Sequence, residues 1–191
     1  MRFKVAHVCA LAVVLGGLAQ PALAGEKSGV KLGFLIEGDL EYGGDDIVTV
    51  DFEDGSSQDI KAGQGGTIAV GGYFKPQADA PFSVRATVGY KFVMTAADNA
   101  DIGIDRMVYE LVANYDWPSG WRVGAGLTQH TNIEFDADGF GRNVRFDDAT
   151  GFTAEFGWKW ISLSYTAIDY KDEFGGKWDA GSLGLALAWR F

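Results

Sequence analysis

The final ten residues alternate without a break: Leu183, Leu185, Leu187, Trp189 and Phe191 against Ser182, Gly184, Ala186, Ala188 and Arg190. Successive side chains of a strand point to opposite faces, so this segment has one large apolar face and one small or polar face. The apolar face has to be covered. In water a second protein layer would do it; on the outside of a closed barrel in a membrane, lipid would.

The same pattern recurs in seven earlier segments. Val30, Leu32, Phe34 and Ile36 oppose Lys31, Gly33 and Glu37. Ile68, Val70, Gly72 and Phe74 oppose Thr67, Ala69 and Tyr73. Val84, Ala86, Val88, Tyr90 and Phe92 oppose Ser83, Arg85, Thr87, Gly89 and Lys91. Met107, Tyr109, Leu111, Ala113 and Tyr115 oppose Arg106, Val108, Glu110 and Asn114. Trp121, Val123, Ala125 and Leu127 oppose Arg122, Gly124, Gly126, Thr128 and His130. Phe152, Ala154, Phe156 and Trp158 oppose Thr153, Glu155, Gly157 and Lys159. Ile161, Leu163, Tyr165 and Ala167 oppose Ser162, Ser164, Thr166 and Tyr170. The charges travel with the glycines on the narrow face, the reverse of a water-soluble barrel. The expected fold is therefore all-β: an eight-stranded antiparallel up-and-down transmembrane β-barrel. Eight strands, each near the length a tilted crossing needs, bring both termini to one side.

Connections alternate in length. Residues 75–82, 116–120 and 160–161 read as short turns, and 38–66, 95–104, 132–149 and 172–180 as long loops. Bacterial barrels turn tightly on the periplasmic side and loop widely outside. Trp117, Trp121, Trp158, Trp160 and Trp189, with Phe74, Tyr115 and Phe191, all fall at the short-turn ends. Amphipathic rings favour the headgroup level, so these residues predict an aromatic girdle.

The first residues fit export. Arg2 and Lys4 precede an apolar stretch from Val5 to Leu18, and Ala22-Leu23-Ala24 is a small-x-small cleavage site. This predicts a cleaved secretory signal peptide at 1–24 and an outer-membrane β-barrel domain at 25–191. Cys9, the one cysteine, falls in the signal, which leaves no disulfide framework and no thiolate metal site. No later apolar run approaches the roughly 20 residues of a membrane helix. The net charge of −10 argues against nucleic acid as a partner.

An eight-stranded barrel is only wide enough for its own side chains. The inward set Arg85, Arg106, Glu110, Arg122, His130, Glu155 and Lys159 is therefore expected to form an interior cluster of ion pairs and hydrogen bonds. Its alternative is a narrow polar conduit.

The export signal, the eight segments and the terminal Trp-Arg-Phe resemble the small outer-membrane barrels of the OmpX, OmpW and opacity type. That resemblance covers the whole mature chain. It implies that Phe191 is the assembly signal read by the barrel-assembly machinery. It also implies a role as adhesin, structural barrel, conduit for hydrophobic solutes or lipid A enzyme. Gln129-His130-Thr131-Asn132 is similar to the His-x-Ser-Asn stretch of PagL-like lipid A deacylases, with Asn132 where the nucleophilic serine would stand. Nucleophilic chemistry with a histidine base would have to use His130, the only histidine after the signal. Thr128, Thr153 and Glu155 are its expected neighbours, in a hydrogen-bonded cluster that satisfies the ring.

Loop one is acidic at Asp39, Glu41, Asp45, Asp46, Asp51, Glu53, Asp54 and Asp59. Loop three is acidic at Glu134, Asp136, Asp138, Asp147 and Asp148. Asp136-Ala137-Asp138-Gly139 is too short for a calcium loop, so these residues read as a solvated surface, or as carboxylates bridged by divalent ions to lipopolysaccharide. Residues 47–52 alternate weakly and predict a protruding hairpin turned at Asp54-Gly55. The expected function is a non-enzymatic outer-membrane barrel with a structural or surface-interaction role carried by its acidic loops. A conduit for small hydrophobic solutes, its wall thinned at Gly71, Gly72, Gly124, Gly126 and Gly157, is the second reading. A lipid A-modifying enzyme using His130 is the third. No cofactor and no metal are expected. The expected partners are outer-membrane lipid, lipopolysaccharide, the assembly machinery and an unidentified surface partner.

Overall fold

The computed structural model describes residues 29–51, 57–94, 102–139 and 141–191. The expected signal peptide, the Asp54-Gly55 turn and residues 95–101 of the second long loop lie outside the described residues.

The chain runs through β1 (Lys31–Tyr42), β2 (Asp46–Asp51), β3 (Ser57–Lys61), β4 (Gly65–Lys75), β5 (Phe82–Met94), β6 (Gly103–Asp116) and β7 (Trp121–Asp136). It continues through β8 (Val144–Phe146), β9 (Ala149–Trp158), β10 (Ile161–Ala167), β11 (Asp169–Lys171), β12 (Lys177–Asp179) and β13 (Ser182–Arg190). Eight of these close into a ring in the order β1, β4, β5, β6, β7, β9, β10, β13, with every neighbouring pair antiparallel. The ring shuts where β13 returns to β1, with Leu35 opposite Arg190 at one end and Tyr42 opposite Leu183 at the other. The fold is the expected closed up-and-down barrel.

The polarity of the wall is inverted relative to a water-soluble protein. Phe34, Ile68, Leu111, Phe152, Phe156, Leu163 and Leu183 stand on the outer face, with Phe34, for example, 68% exposed. Their in-facing neighbours Glu37, Thr67, Arg85, Lys91, Asn114, Arg122, Thr153 and Glu155 are buried. The expected aromatic girdle rings the end that carries Lys31, Phe191 and the short turns. Trp160 stacks on Trp189 at 6.5 Å and 9°, Trp121 on Phe156 at 5.1 Å, and Tyr115 meets Trp117 edge-on at 4.8 Å.

The wall glycines are set by packing. A Cβ at Gly71 would lie 2.0 Å from the Ala86 carbonyl oxygen, and one at Gly126 2.0 Å from that of Leu111. Strands approach too closely there for any side chain, and the ladder passes through both positions unbroken.

Two boundaries differ from expectation. β1 continues past Ile36 to Tyr42, so Asp39 and Glu41 belong to the wall rather than to an acidic loop. Leu40 and Tyr42 carry the apolar alternation onward, which is why the strand does not stop where the acids begin. β7 likewise runs beyond Asn132 to Asp136, and the expected loop 132–149 holds β8.

Asn132 is the pivot of that second change. It adopts a left-handed conformation with φ of 52°, and the β6–β7 register slips between Asp105 and Met107. Asn tolerates this backbone better than most residues. The extra residue is a bulge, and a bulge reverses which side chains face in. Below it Thr128 and His130 face the lumen; above it Ile133 and Phe135 do.

The result is a second, apolar core at the loop end. Ile60, Ile102, Ile104, Ile133, Phe135, Phe146, Ile168 and Tyr170 are all buried together, with Val48, Val93 and Trp178 packed against them. The β2–β3 hairpin supplies Ile60, and the β11–β12 hairpin binds to it through Asp45 N–H to the Asp179 carbonyl at 2.8 Å. The loops thus fold into a cap over the barrel mouth instead of forming a solvated fringe.

Candidate functional site

The lumen is packed in tiers. At the short-turn end, Asp116 receives Lys75 at 3.1 Å and Arg190 at 3.6 Å, and Ser83 donates to it at 3.0 Å. The next tier centres on Arg85. Its guanidinium pairs with Glu37, with Glu110 at 3.1 Å and with Glu155 at 3.1 Å. Arg122 Nε donates to the other oxygen of Glu155 at 2.9 Å, and its Nη1 to the Lys159 carbonyl at 3.1 Å. Glu37, Arg85, Glu110, Arg122 and Glu155 come from β1, β5, β6, β7 and β9, so this one network ties five strands.

The upper tier sits beneath the cap. Lys91 Nζ donates to Glu41 at 2.7 Å and to the Gly63 carbonyl at 2.8 Å. Ser182 and Thr166 hydroxyls complete the Glu41 carboxylate at 2.7 and 3.2 Å. Arg106, fully buried, donates to the Gln64 carbonyl at 2.8 Å and lies over the Tyr170 ring at 5.8 Å. Two lumen cations therefore grip the turn between β3 and β4 and latch the cap to the barrel. His130 shares a hydrogen bond with the Tyr170 hydroxyl, and Tyr170 in turn packs on Phe146 of the cap at 5.7 Å.

The structure divides the expected interior cluster. Arg85, Glu110, Arg122 and Glu155 meet in the middle tier; Arg106 and His130 stand in the upper one. Lys159 is not in the lumen. It occupies the tight turn after β9 at φ of 55°, which swings its side chain out to place Nζ 4.2 Å from the Trp158 ring centre. The expected neighbours of His130 also change: Glu155 is engaged by Arg85 and Arg122, and the imidazole's partner is Tyr170. Phe191 ends the chain beside β1, its N–H bonded to the Phe34 carbonyl at 2.8 Å.

Sequence reasoning missed Asp39 and Glu41 as lumen groups, and it missed the cap. The signal for both was present. Leu40 and Tyr42 keep the period of β1, while Ile133 and Phe135 restore an alternation in the opposite phase after Asn132.

A cavity of about 20 Å³ remains between Glu37, Asp39, Glu41, Glu110 and Ser164, room for about one water molecule. His130 is 2% exposed. Among the serines, Ser182 is bonded to Glu41 and Ser162 to Arg122. Among the described residues no three His, Cys, Asp or Glu side chains are arranged to hold a metal ion. What this arrangement does chemically is pair most of the buried charge and brace the wall; buried Arg106 meets no carboxylate within ion-pair distance among the described residues, and its Nε and Nη1 have no hydrogen-bond partner.

In the cap, Asp172 organises the turn between β11 and β12. The Trp178 indole N–H reaches its carboxylate at 3.0 Å, and the Gly176 and Phe174 amides at 2.7 and 2.9 Å. These donors, the indole first, hold Asp172 below the usual carboxylate range. Compared with protein-family models, curated proteins and solved structures, the chain shows no match.

Proposed function

We propose that this chain is an integral outer-membrane barrel with a structural or surface-interaction role, its lumen plugged by ion pairs and its folded cap presented outside the cell. The observation that carries the reading is the inverted wall: an apolar belt outside, a paired polar interior, and aromatic rings gathered at one end. Such a surface suits lipid and not water. The packed tiers and the pairing of all eight seams into a closed ring favour a plug over a conduit. The burial of His130 against Tyr170 favours a structural imidazole over a catalytic one. Recognition then belongs to the cap, whose acidic exterior includes Asp59, Glu134, Asp136, Asp147 and Asp148. Lipid, lipopolysaccharide and the barrel-assembly machinery, the last meeting Phe191, are its expected contacts.

Fractionation with protease shaving of whole cells tests this. The chain is expected in the outer membrane, resistant to carbonate extraction, with unheated and boiled samples migrating differently in SDS gels. Cuts should fall only in the cap. Recovery as a carbonate-soluble protein would sink the reading. A lipid A mass spectrum that changes with the protein and reverts with His130→Ala would make it an enzyme instead.

A further inference from the structure

The turn between β3 and β4 is held at the barrel mouth by two cations that repel each other. Lys91 on β5 and Arg106 on β6 stand directly opposite in the ladder, at 1% and 0% exposure. Like charges so placed are destabilising on their own. Lys91 is met by the Glu41 carboxylate. Arg106 is met by none of the described carboxylates, and its Nε and Nη1 have no acceptor. A desolvated N–H without an acceptor loses its hydration and gains nothing for it, so a buried guanidinium in this state points to a missing partner.

The rest of the Arg106 surroundings is fixed. The guanidinium lies over the Tyr170 ring, whose hydroxyl is shared with His130. Its Nη2 donates to the Gln64 carbonyl at 2.8 Å. Both bidentate forks of a guanidinium run through Nη2, so a carboxylate or phosphate seeking two parallel bonds finds the shared corner engaged. A monatomic anion needs no fork. It accepts from Nε or Nη1 alone, and it fits among side chains as closely packed as these.

We infer that Arg106 binds a monatomic anion, a halide such as chloride, beneath the cap and beside the Lys91–Arg106 pair. The anion offsets the repulsion between the two cations. By fixing the plane of the guanidinium it also fixes the Gln64 carbonyl, and with it the turn that latches the cap. The inference stands on the barrel and its cap alone. Fractionation of cells bears on the proposed function and leaves this site untouched.

The test uses the full chain in mild detergent, in sodium chloride and in sodium gluconate at one ionic strength. The Ala62 and Gly63 amides, bonded to the Asp45 and Gly43 carbonyls at 2.9 and 3.1 Å, report opening of the latch by hydrogen exchange. A ligand that binds only the closed form lowers the open population, so chloride at about ten times its dissociation constant should slow this exchange about tenfold. Arg106→Met should exchange at one rate in both salts. Lys171→Met, which removes an exposed cation of the cap, should keep the wild-type difference. Heat-shifted gel migration checks that each variant is folded. Wild-type crystals grown with bromide should show an anomalous peak at hydrogen-bond distance from Arg106 Nε or Nη1, a result that needs no variant to fold. Equal exchange of the wild type in the two salts would overturn the inference. So would a chloride effect that survives Arg106→Met, or bromide crystals with no peak at Arg106.

Discussion

Replacing Arg85 with Met asks whether the lumen is sealed. Arg85 and its partners Glu37 and Glu155 have side chains no more than about 5% exposed. In Arg85→Met, Glu155 keeps Arg122, but Glu37 and Glu110 keep no ion-pair partner among the described residues. Removing one partner of a buried pair costs about 3–5 kcal/mol, because the survivor stays desolvated and unpaired. With two carboxylates stranded, the loss should sit toward the top of that range. In a lumen open to water the same pair would be worth about 0–1 kcal/mol. Urea unfolding in lipid vesicles, followed by tryptophan fluorescence and linear extrapolation, measures the difference. Adding Glu37→Gln to Arg85→Met should recover about 0.5–3 kcal/mol, since the two sites are in contact. A loss under about 1 kcal/mol for Arg85→Met would refute the plug and return the conduit to contention.

Other expectations follow from the cap and its joints. Phe135→Ala should cost the cap about 3–5 kcal/mol. It should appear as faster proteolysis of the loops while the barrel's heat-shifted gel migration persists. Asn132→Val should destabilise by about 1–2 kcal/mol, because a branched side chain resists the left-handed backbone that Gly accepts; Asn132→Gly should cost less in the same urea assay. For Asp172 the folded carboxyl titrates below its unfolded value, so its contribution is complete above the ordinary aspartate range and fades as pH falls through the lowered value. The Trp178 indole N–H resonance should therefore hold still from neutral pH down to about 4 and move only below it. A midpoint at or above the ordinary value would contradict the geometry of that turn.

The barrel itself was plain in the sequence because alternation is a local signal. Each of the eight wall segments could be read from its own residues, and the faces assigned to Arg85, Arg122, Thr128, His130 and Glu155 hold. What escaped depended on distant chain. Asp39 and Glu41 look like loop acids until Lys91, Thr166 and Ser182 are seen to surround Glu41. Lys159 alternates inward on paper, but one left-handed residue at a turn turns it out. The cap was hidden because its apolar residues are scattered over many strands and loops, mostly in pieces too short to show a period of their own. Asn132 also breaks the phase just where β7 passes from one core to the other.

The shared strands β6 and β7 have a mechanical consequence. They pass from the barrel wall into the cap, paired with each other over most of their length apart from the one bulge at Asn132. A pull on the cap by anything bound to it runs along these two ribbons. At the wall it loads many ladder hydrogen bonds at once, sideways and together. The short pairings of β11–β12 and β8 would open first, one bond after another. The cap should thus behave as a handle whose trim tears before its shaft, keeping the barrel seated while its outer decoration gives way.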